Sequence, residues 1–188
     1  MSQAMWSSRR CAGTPSVPAN AEAVVLNLTA VDTAGPGYVT AFPAGGSEPN
    51  ASNVNFTKAG EIVPNLVVVK LGDGGAVSLF SGVSSSHLLA DVVGYFPEGA
   101  DYEPLVPARL LDTRADGETV DGEGRGAGQP MPNEPIELVV GGRHGIPVDA
   151  AAAVLNVTAT DTEGPGFVTV FPCGAEPPEA SNLNYTAA

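Results

Sequence analysis

The sequence predicts an all-β protein, and three observations carry that prediction. Short runs rich in Val and aromatic residues alternate with turn clusters such as DTAGPG, GDGG and DTEGPG, a pattern typical of β-hairpins. Helical periodicity of apolar residues is almost absent from the 188-residue chain. A long internal repeat indicates that one β-rich module occurs more than once.

Five segments have the composition expected of strands. Each is rich in β-branched or aromatic residues and is bounded by Gly, Pro, Asn or Asp, which favour turns. The predicted strands cover residues 24–31, 37–43, 64–71, 76–81 and 88–96. A different pattern occupies residues 115–134, which are rich in Gly and acids and lack apolar periodicity. This stretch predicts a long exposed loop.

The internal repeat is a duplicated part of one module. Residues 17–59 align without gaps on residues 146–188, an offset of 129, and 25 of the 43 aligned positions are identical. The repeat predicts an N-terminal flank at 1–16 and one complete module at 17–145. A partial second copy then follows at 146–188.

A weaker period within the module bears on its architecture. Val-Pro or Ile-Pro steps precede candidate strands at residues 17, 63, 106 and 146, at intervals of 46, 43 and 40 residues. Proline suits the position just before a strand, because no backbone N–H is needed there to pair with a neighbouring strand. Three units of about 43 residues favour a β-trefoil-like module, and a Greek-key β-sandwich is the alternative.

The partial second copy has a consequence for assembly. It repeats a third that the complete module already contains, so its strands would have unpaired edges unless something covers them. The sequence therefore predicts self-association, or further repeats in a longer array.

Composition excludes two classes of partner. The net charge of −13 argues against a nucleic-acid binder, because phosphate contacts need clustered Lys and Arg. No apolar run approaches the roughly 20 residues of a membrane span. The N-terminus lacks the apolar core of a signal peptide, so the protein is either retained in the cell or a piece of a longer exported chain. Two cysteines, Cys11 and Cys173, are too few for a disulfide framework and too isolated for a zinc site.

Several segments resemble a tandem repeat of exported and cell-surface proteins of actinobacteria. The resemblance rests on VPARLLDTR (106–114), AVLNVTATDTEGPGFVTVFPCG (153–174), SNLNY (181–185), NLVVVKLGDGGAVSLF (65–80) and HLLADVVGYF (87–96). It implies an extracellular or cell-surface accessory module with no established activity. The family pattern also implies a disulfide between the Cys173 position and the strand equivalent to 76–81, where the first copy has Ala44 and Ser78.

Four residues are the candidate ligand contacts. Asp112 and Arg114 could hold a sugar hydroxyl or a carboxylate through a bidentate fork, although an Asp at the end of a strand more commonly caps a turn. Tyr38 and the matching Phe167 each follow a turn and could stack on a ligand, although core packing is the commoner role of such rings.

Four asparagines form a repeated polar signature. Asn27 and Asn156 lie within strand-like sequence, and Asn53 and Asn182 begin the two SN-x-N motifs. A ligand site is one interpretation. The favoured one is structural, because a buried amide must be hydrogen-bonded and commonly ties a strand to nearby backbone.

The sequence predicts no catalytic, cofactor or metal site. His87 and His144 have no ligand spacing, and no nucleophile motif is present, so a hydrolase is only a remote alternative. Calcium could be collected by the acids between Asp112 and Glu123, but they lack a known calcium-loop order. The expected function is a non-catalytic extracellular module that binds a cell-wall polymer, a glycan or a surface partner. A structural spacer or array-forming repeat is the alternative.

Overall fold

A computed structural model describes residues 12–13 and 17–186, and it confirms an all-β protein. The described residues contain a single helical turn, the 3₁₀ segment Asp73–Gly75. The chain divides into two compact units between Arg109 and Leu110, and each unit is described by itself. Cys11 and most of the predicted flank lie outside the described residues. The boundaries predicted from the repeat, at 17 and 146, stay predictions.

Eight strands occur in the described residues, six in the first unit and two in the second. The strands are β1 (Ala21–Val31), β2 (Gly37–Pro43), β3 (Val54–Phe56), β4 (Val63–Lys70), β5 (Val77–Gly82), β6 (His87–Pro97), β7 (Gly166–Val168) and β8 (Leu183–Tyr185). The five strands predicted from the sequence correspond to β1, β2, β4, β5 and β6. The three-residue strands were not predicted, because so short a segment has no measurable alternation.

The first sheet is antiparallel, with strand order β4-β1-β6. Leu26 at the centre of β1 lies opposite Val67 of β4 and Val92 of β6. Successive side chains of a strand point to opposite faces, so Val24, Leu26 and the even-numbered residues that follow share one face. That face is fully buried. The register of β6 shifts between the partners of Val25 and Leu26, as expected of a β-bulge.

The second sheet has the strand order β3-β2-β5. Gly37 begins β2 where the backbone has no room for a side chain. A Cβ there would approach the carbonyl oxygen of Gly82 and the ring of Phe56 to 2.7 Å, closer than such atoms tolerate. Glycine at this position therefore lets three chain segments meet at one end of the sheet.

The core of the first unit takes residues from both sheets. It combines the inner face of β1 and β4 with Val39, Ala41, Val54 and Phe56 of the second sheet. Each Val, Leu or Phe removed from water there contributes about 1.5–3 kcal/mol. The core does not extend fully under β6, where Val92 and Tyr95 are both exposed to the same extent, 43%.

The second unit contains far less regular structure. Its two described strands, β7 and β8, form one short hairpin. Residues 150–160, which repeat β1, form no strand, and most of their side chains are exposed. Residues 115–134 also form no strand and are mostly exposed, as predicted. Within the described part of the chain, no helix is long and apolar enough to cross a membrane.

Candidate functional site

Asp112 and Arg114 form a bidentate ion pair in the second unit. The Nε and Nη2 atoms of Arg114 donate hydrogen bonds to the two carboxylate oxygens of Asp112, at 2.9 and 2.7 Å. This hydrogen bonding raises the pKa of Arg114 above its ordinary value. The Asp112 side chain is 6% exposed and that of Arg114 is 47% exposed. Two of the five guanidinium N–H donors are therefore used internally, while the arginine stays accessible.

The backbone around Asp112 is held from both sides. Its N–H donates to the carbonyl of Gly124 at 3.0 Å, and its carbonyl accepts from the N–H of Gly126 at 2.9 Å. A Cβ at Gly117 would lie 2.6 Å from the Asp112 carbonyl oxygen, so glycine is needed for the loop to fold back here. The buried carboxylate is thus a fixed support for the arginine.

A second arginine, Arg143, ties the acidic loop to the rest of the unit. Its Nε and Nη2 atoms donate to Asp121 at 2.7 Å each, and the same guanidinium donates to the carbonyls of Val139, Leu110 and Glu123. The hydrogen bonds from Arg143 lower the pKa of Asp121 to about 2. The sequence gives no signal for this role of Arg143, because nothing in the GGRHG segment (141–145) points to an acid 22 residues earlier.

The two ion pairs bear on the calcium alternative. Of the five acids between residues 112 and 123, Asp112 and Asp121 have both carboxylate oxygens directed to arginine. No group of three metal-capable side chains lies together in the described residues.

Two open hollows lie beside Arg114 and Arg125. The first, of about 360 Å³, is lined by residues that include Arg114, Gln129 and Asp161. Its Asp116 and Asp161 carboxylates also raise the pKa of Arg114. The second, of about 410 Å³, is lined by Asp116, Glu118 and Arg125 among others. A guanidinium, an amide and carboxylates in one hollow suit hydrogen bonding to a polyhydroxylated ligand.

The predicted aromatic contacts lie in different units. Tyr38 of β2 packs against Gly82, and its ring lies 6.2 Å from that of Phe80. Phe167 of β7 is 65% exposed and does not line the hollow that contains Arg114. The structure therefore groups Asp112 with Arg114 and does not bring either aromatic residue into their hollow.

Two of the signature asparagines make matching backbone ties. The side-chain oxygen of Asn53 accepts a hydrogen bond from the N–H of Ala41 at 2.7 Å. In the second copy, the side-chain oxygen of Asn182 accepts one from the N–H of Val170 at 2.8 Å. Asn27 lies within β1, opposite Leu66 and Asp91, and Asn156 lies in the exposed segment 150–160.

The duplicated hairpins share their register as well as these ties. Gly37 lies opposite Phe56, and the equivalent Gly166 lies opposite Tyr185. The hydroxyl of Thr40 donates to the carbonyl of Ala51. Its copy makes the same bond from Thr169 to Ala180. Hairpin geometry is therefore encoded locally and survives in either setting.

Burial separates the two copies sharply. Leu26 is 2% exposed, whereas the matching Leu155 is 41% exposed. Leu28 is fully buried, and its counterpart Val157 is 38% exposed. The second copy thus presents to solvent the apolar stripe that forms the core of the first.

The two histidines and Cys173 lie in separate segments of the chain, and Ser84 lies shortly before His87. The hydroxyl of Ser84 donates to the carbonyl of Gly35 at 2.8 Å. His87 begins β6, and His144 lies in a turn of the second unit with a φ of 47°. Cys173 is an exposed free thiol.

Comparison with known proteins adds no assignment. No family model matches the chain, and no curated protein or solved structure is significantly similar to it.

Proposed function

We propose that the chain is a non-catalytic, self-associating structural module of a cell-surface protein. The supporting observation is the second copy, which keeps its hairpin register but leaves Leu155 41% and Val157 38% exposed. The sequence alone favours a ligand-binding module over a structural one. Exposure of the duplicated stripe reverses that order.

Burial of the exposed apolar side chains of the second copy would stabilise an assembly. A Leu or Val side chain gains about 1.5–3 kcal/mol when it leaves water completely. Contiguous exposed apolar residues on an otherwise acidic protein are typical of an interaction surface.

Self-association is tested by measuring the mass of the full chain at increasing concentration. Light scattering should give 18.9 kDa when the protein is dilute and multiples of that mass when it is concentrated. Association through apolar surface should persist in high salt, because screening weakens only charge contacts. A mass of 18.9 kDa at every concentration would refute the proposal.

Ligand binding is the second candidate, supported by the hollow that contains Arg114. Its half-exposed guanidinium is fixed by a buried carboxylate, which lowers the entropy lost on binding. Candidate ligands are a glycan, a cell-wall polymer or a surface partner that offers hydroxyl or carboxylate groups. Titration with soluble peptidoglycan fragments should show saturable binding that Arg114→Ala weakens at least tenfold and Val148→Ala leaves unchanged. Equal binding by both variants would refute this site.

We extend the proposal to the architecture of the first unit and to the location of the protein. Two antiparallel sheets that share one core favour a Greek-key β-sandwich over the trefoil for the first unit. A cell-surface location is supported by the resemblance to the exported actinobacterial repeat.

A further inference from the structure

We propose that the outer edge of β6 pairs with β6 of a second copy, antiparallel and about a two-fold axis at Leu89. This contact goes beyond the self-association argued from the second copy of the repeat, because it lies wholly on the first unit. It joins two three-stranded sheets of order β4-β1-β6 into one continuous sheet. Pairing along an exposed sheet edge gains affinity from backbone hydrogen bonds and specificity from the side chains that face each other.

The outer edge of β6 is open in the part of the chain that the structure describes. There β6 pairs with β1 along one edge and with no strand along the other. Every residue from Leu89 to Val93 is exposed. Even Val92, which lies opposite the buried Leu26 and faces the same side of the sheet, is 43% exposed. An exposed edge of this kind offers a row of backbone donors and acceptors to another strand.

The side chains of β6 complement each other when the strand runs antiparallel to its own copy about Leu89. In that register His87 of each chain lies opposite Asp91 of the other, and Leu89 lies opposite itself. All three project from the outer face of the sheet, because their partners in β1 alternate with the buried Leu28 and Ala30. An imidazole opposite a carboxylate on each side of an apolar pair is a favourable cross-strand arrangement.

Charge disfavours the neighbouring registers. A two-fold axis at Asp91 would place two carboxylates opposite each other, which destabilises a strand pair. An axis at Leu88 or Ala90 would place Leu89 opposite His87 or Asp91, so that a polar group would lose hydration without gaining a partner. The axis at Leu89 is therefore the one that the charges select.

The length of the contact is set by the irregularity in β6. The register between β1 and β6 shifts at Val93, whereas residues 87–92 pair regularly. The proposed contact uses residues 87–91, and five residues is an ordinary length for a strand. Leu89 is 54% exposed, so its burial in both copies adds an apolar contribution to the backbone pairing.

The other long strands at sheet edges are less suitable. Pro64 in β4 has no backbone N–H to donate to an added strand. β5 contains no charged residue that could fix a register with its own copy. The β6 contact is isologous, so by itself it closes at a dimer.

A crosslink at the two-fold axis tests the contact. In a chain with Cys11→Ser and Cys173→Ser, Leu89→Cys should place the two new thiols of a dimer opposite each other, with Cβ atoms about 4.5–5.5 Å apart. A short bismaleimide should then give a covalent dimer of twice 18.9 kDa. Leu66→Cys is the matched control, because Leu66 is 63% exposed on the same face of the sheet but lies on β4. Its crosslinking should be about tenfold slower or less.

A charge exchange tests the register. His87→Asp in the Leu89→Cys chain places carboxylates opposite each other at both ends of the contact and should slow crosslinking about tenfold. Adding Asp91→His restores an imidazole opposite each carboxylate and should restore the rate. Circular dichroism checks that each variant keeps its strands. If H87D does not fold, Asp91→Lys and its restoring partner His87→Glu replace the pair.

The outcomes separate this inference from the proposed function. Equal crosslinking at positions 89 and 66, or a double exchange that does not restore the rate, would overturn the β6 contact. If light scattering then still gives multiples of 18.9 kDa for the wild type, the proposed self-association stands without it. A wild type of 18.9 kDa at every concentration would overturn both.

Discussion

Residues 21–57 and 150–186 are two copies of one sequence in two surroundings, and the difference between them separates local from non-local folding. The β2–β3 hairpin recurs as β7–β8 with the same register and the same asparagine tie. The β1 strand does not recur, although most of its residues are repeated. A hairpin is fixed by its own turn and side chains, whereas β1 is a strand only because β4 and β6 flank it.

Leu26 and its counterpart Leu155 should give the largest difference in stability between the two copies. Leu26→Ala should lower the free energy of unfolding by about 2–5 kcal/mol, because it leaves a cavity in a closed core. The matched Leu155→Ala should lower it clearly less in dilute protein, since that side chain is 41% exposed and leaves no closed cavity when it is shortened. Urea unfolding followed by circular dichroism measures both. Equal losses would mean that the second copy has a core of its own.

The next comparison concerns two equivalent glycines. Gly37→Ala forces a methyl group against the Gly82 carbonyl and the Phe56 ring and should destabilise the first unit by about 1–3 kcal/mol. At Gly166→Ala the three atoms nearest to the new methyl group all belong to the half-buried ring of Tyr185, and no backbone atom is among them, so a shift of that ring relieves the contact. Thermal unfolding should therefore show a clearly lower midpoint for the first variant only. A larger effect at Gly166 would contradict the assigned surroundings.

The asparagine ties give a smaller contrast. Asn53→Ala leaves the N–H of the buried Ala41 without its acceptor, at a cost of about 1–3 kcal/mol. In Asn182→Ala, water can replace the lost acceptor of Val170, so the cost should be a fraction of that. Urea unfolding curves of the two variants and the wild type measure the free energy that each variant loses. The comparison fails if the Asn182 variant loses as much as the Asn53 variant.

The smallest effect should be confined to the loop that Arg143 ties down. The folded-state pKa of Asp121 is about 2, below its ordinary 3.8, so the ion pair contributes its full stability above about pH 4. That stability is lost as the pH falls from 4 towards 2. Hydrogen exchange of residues 118–125 should accelerate over this window and should already be fast in Asp121→Asn at neutral pH. Unchanged exchange in D121N would contradict the role assigned to the ion pair.

The same contrast between local and distant contacts decides which features of the molecule the sequence predicts. The five long strands are visible in the sequence, because Val-rich runs between turn residues are a local signal. The sequence also predicts a strand-like copy at 150–160, but the pairing of a strand depends on distant segments. The sequence points to Asp112 and Arg114, which are two residues apart, but it carries no signal for the pairing of Asp121 with Arg143 across 22 residues.

Hydrogen exchange at the two copies of β1 tests the central claim most directly. Amides of residues 24–30 should exchange slowly at every protein concentration, because β4 and β6 flank them. Amides of residues 153–159 should exchange quickly in dilute protein and become protected as the concentration rises. Slow exchange of 153–159 in dilute monomer, or fast exchange at every concentration, would contradict the account of one sequence in two surroundings.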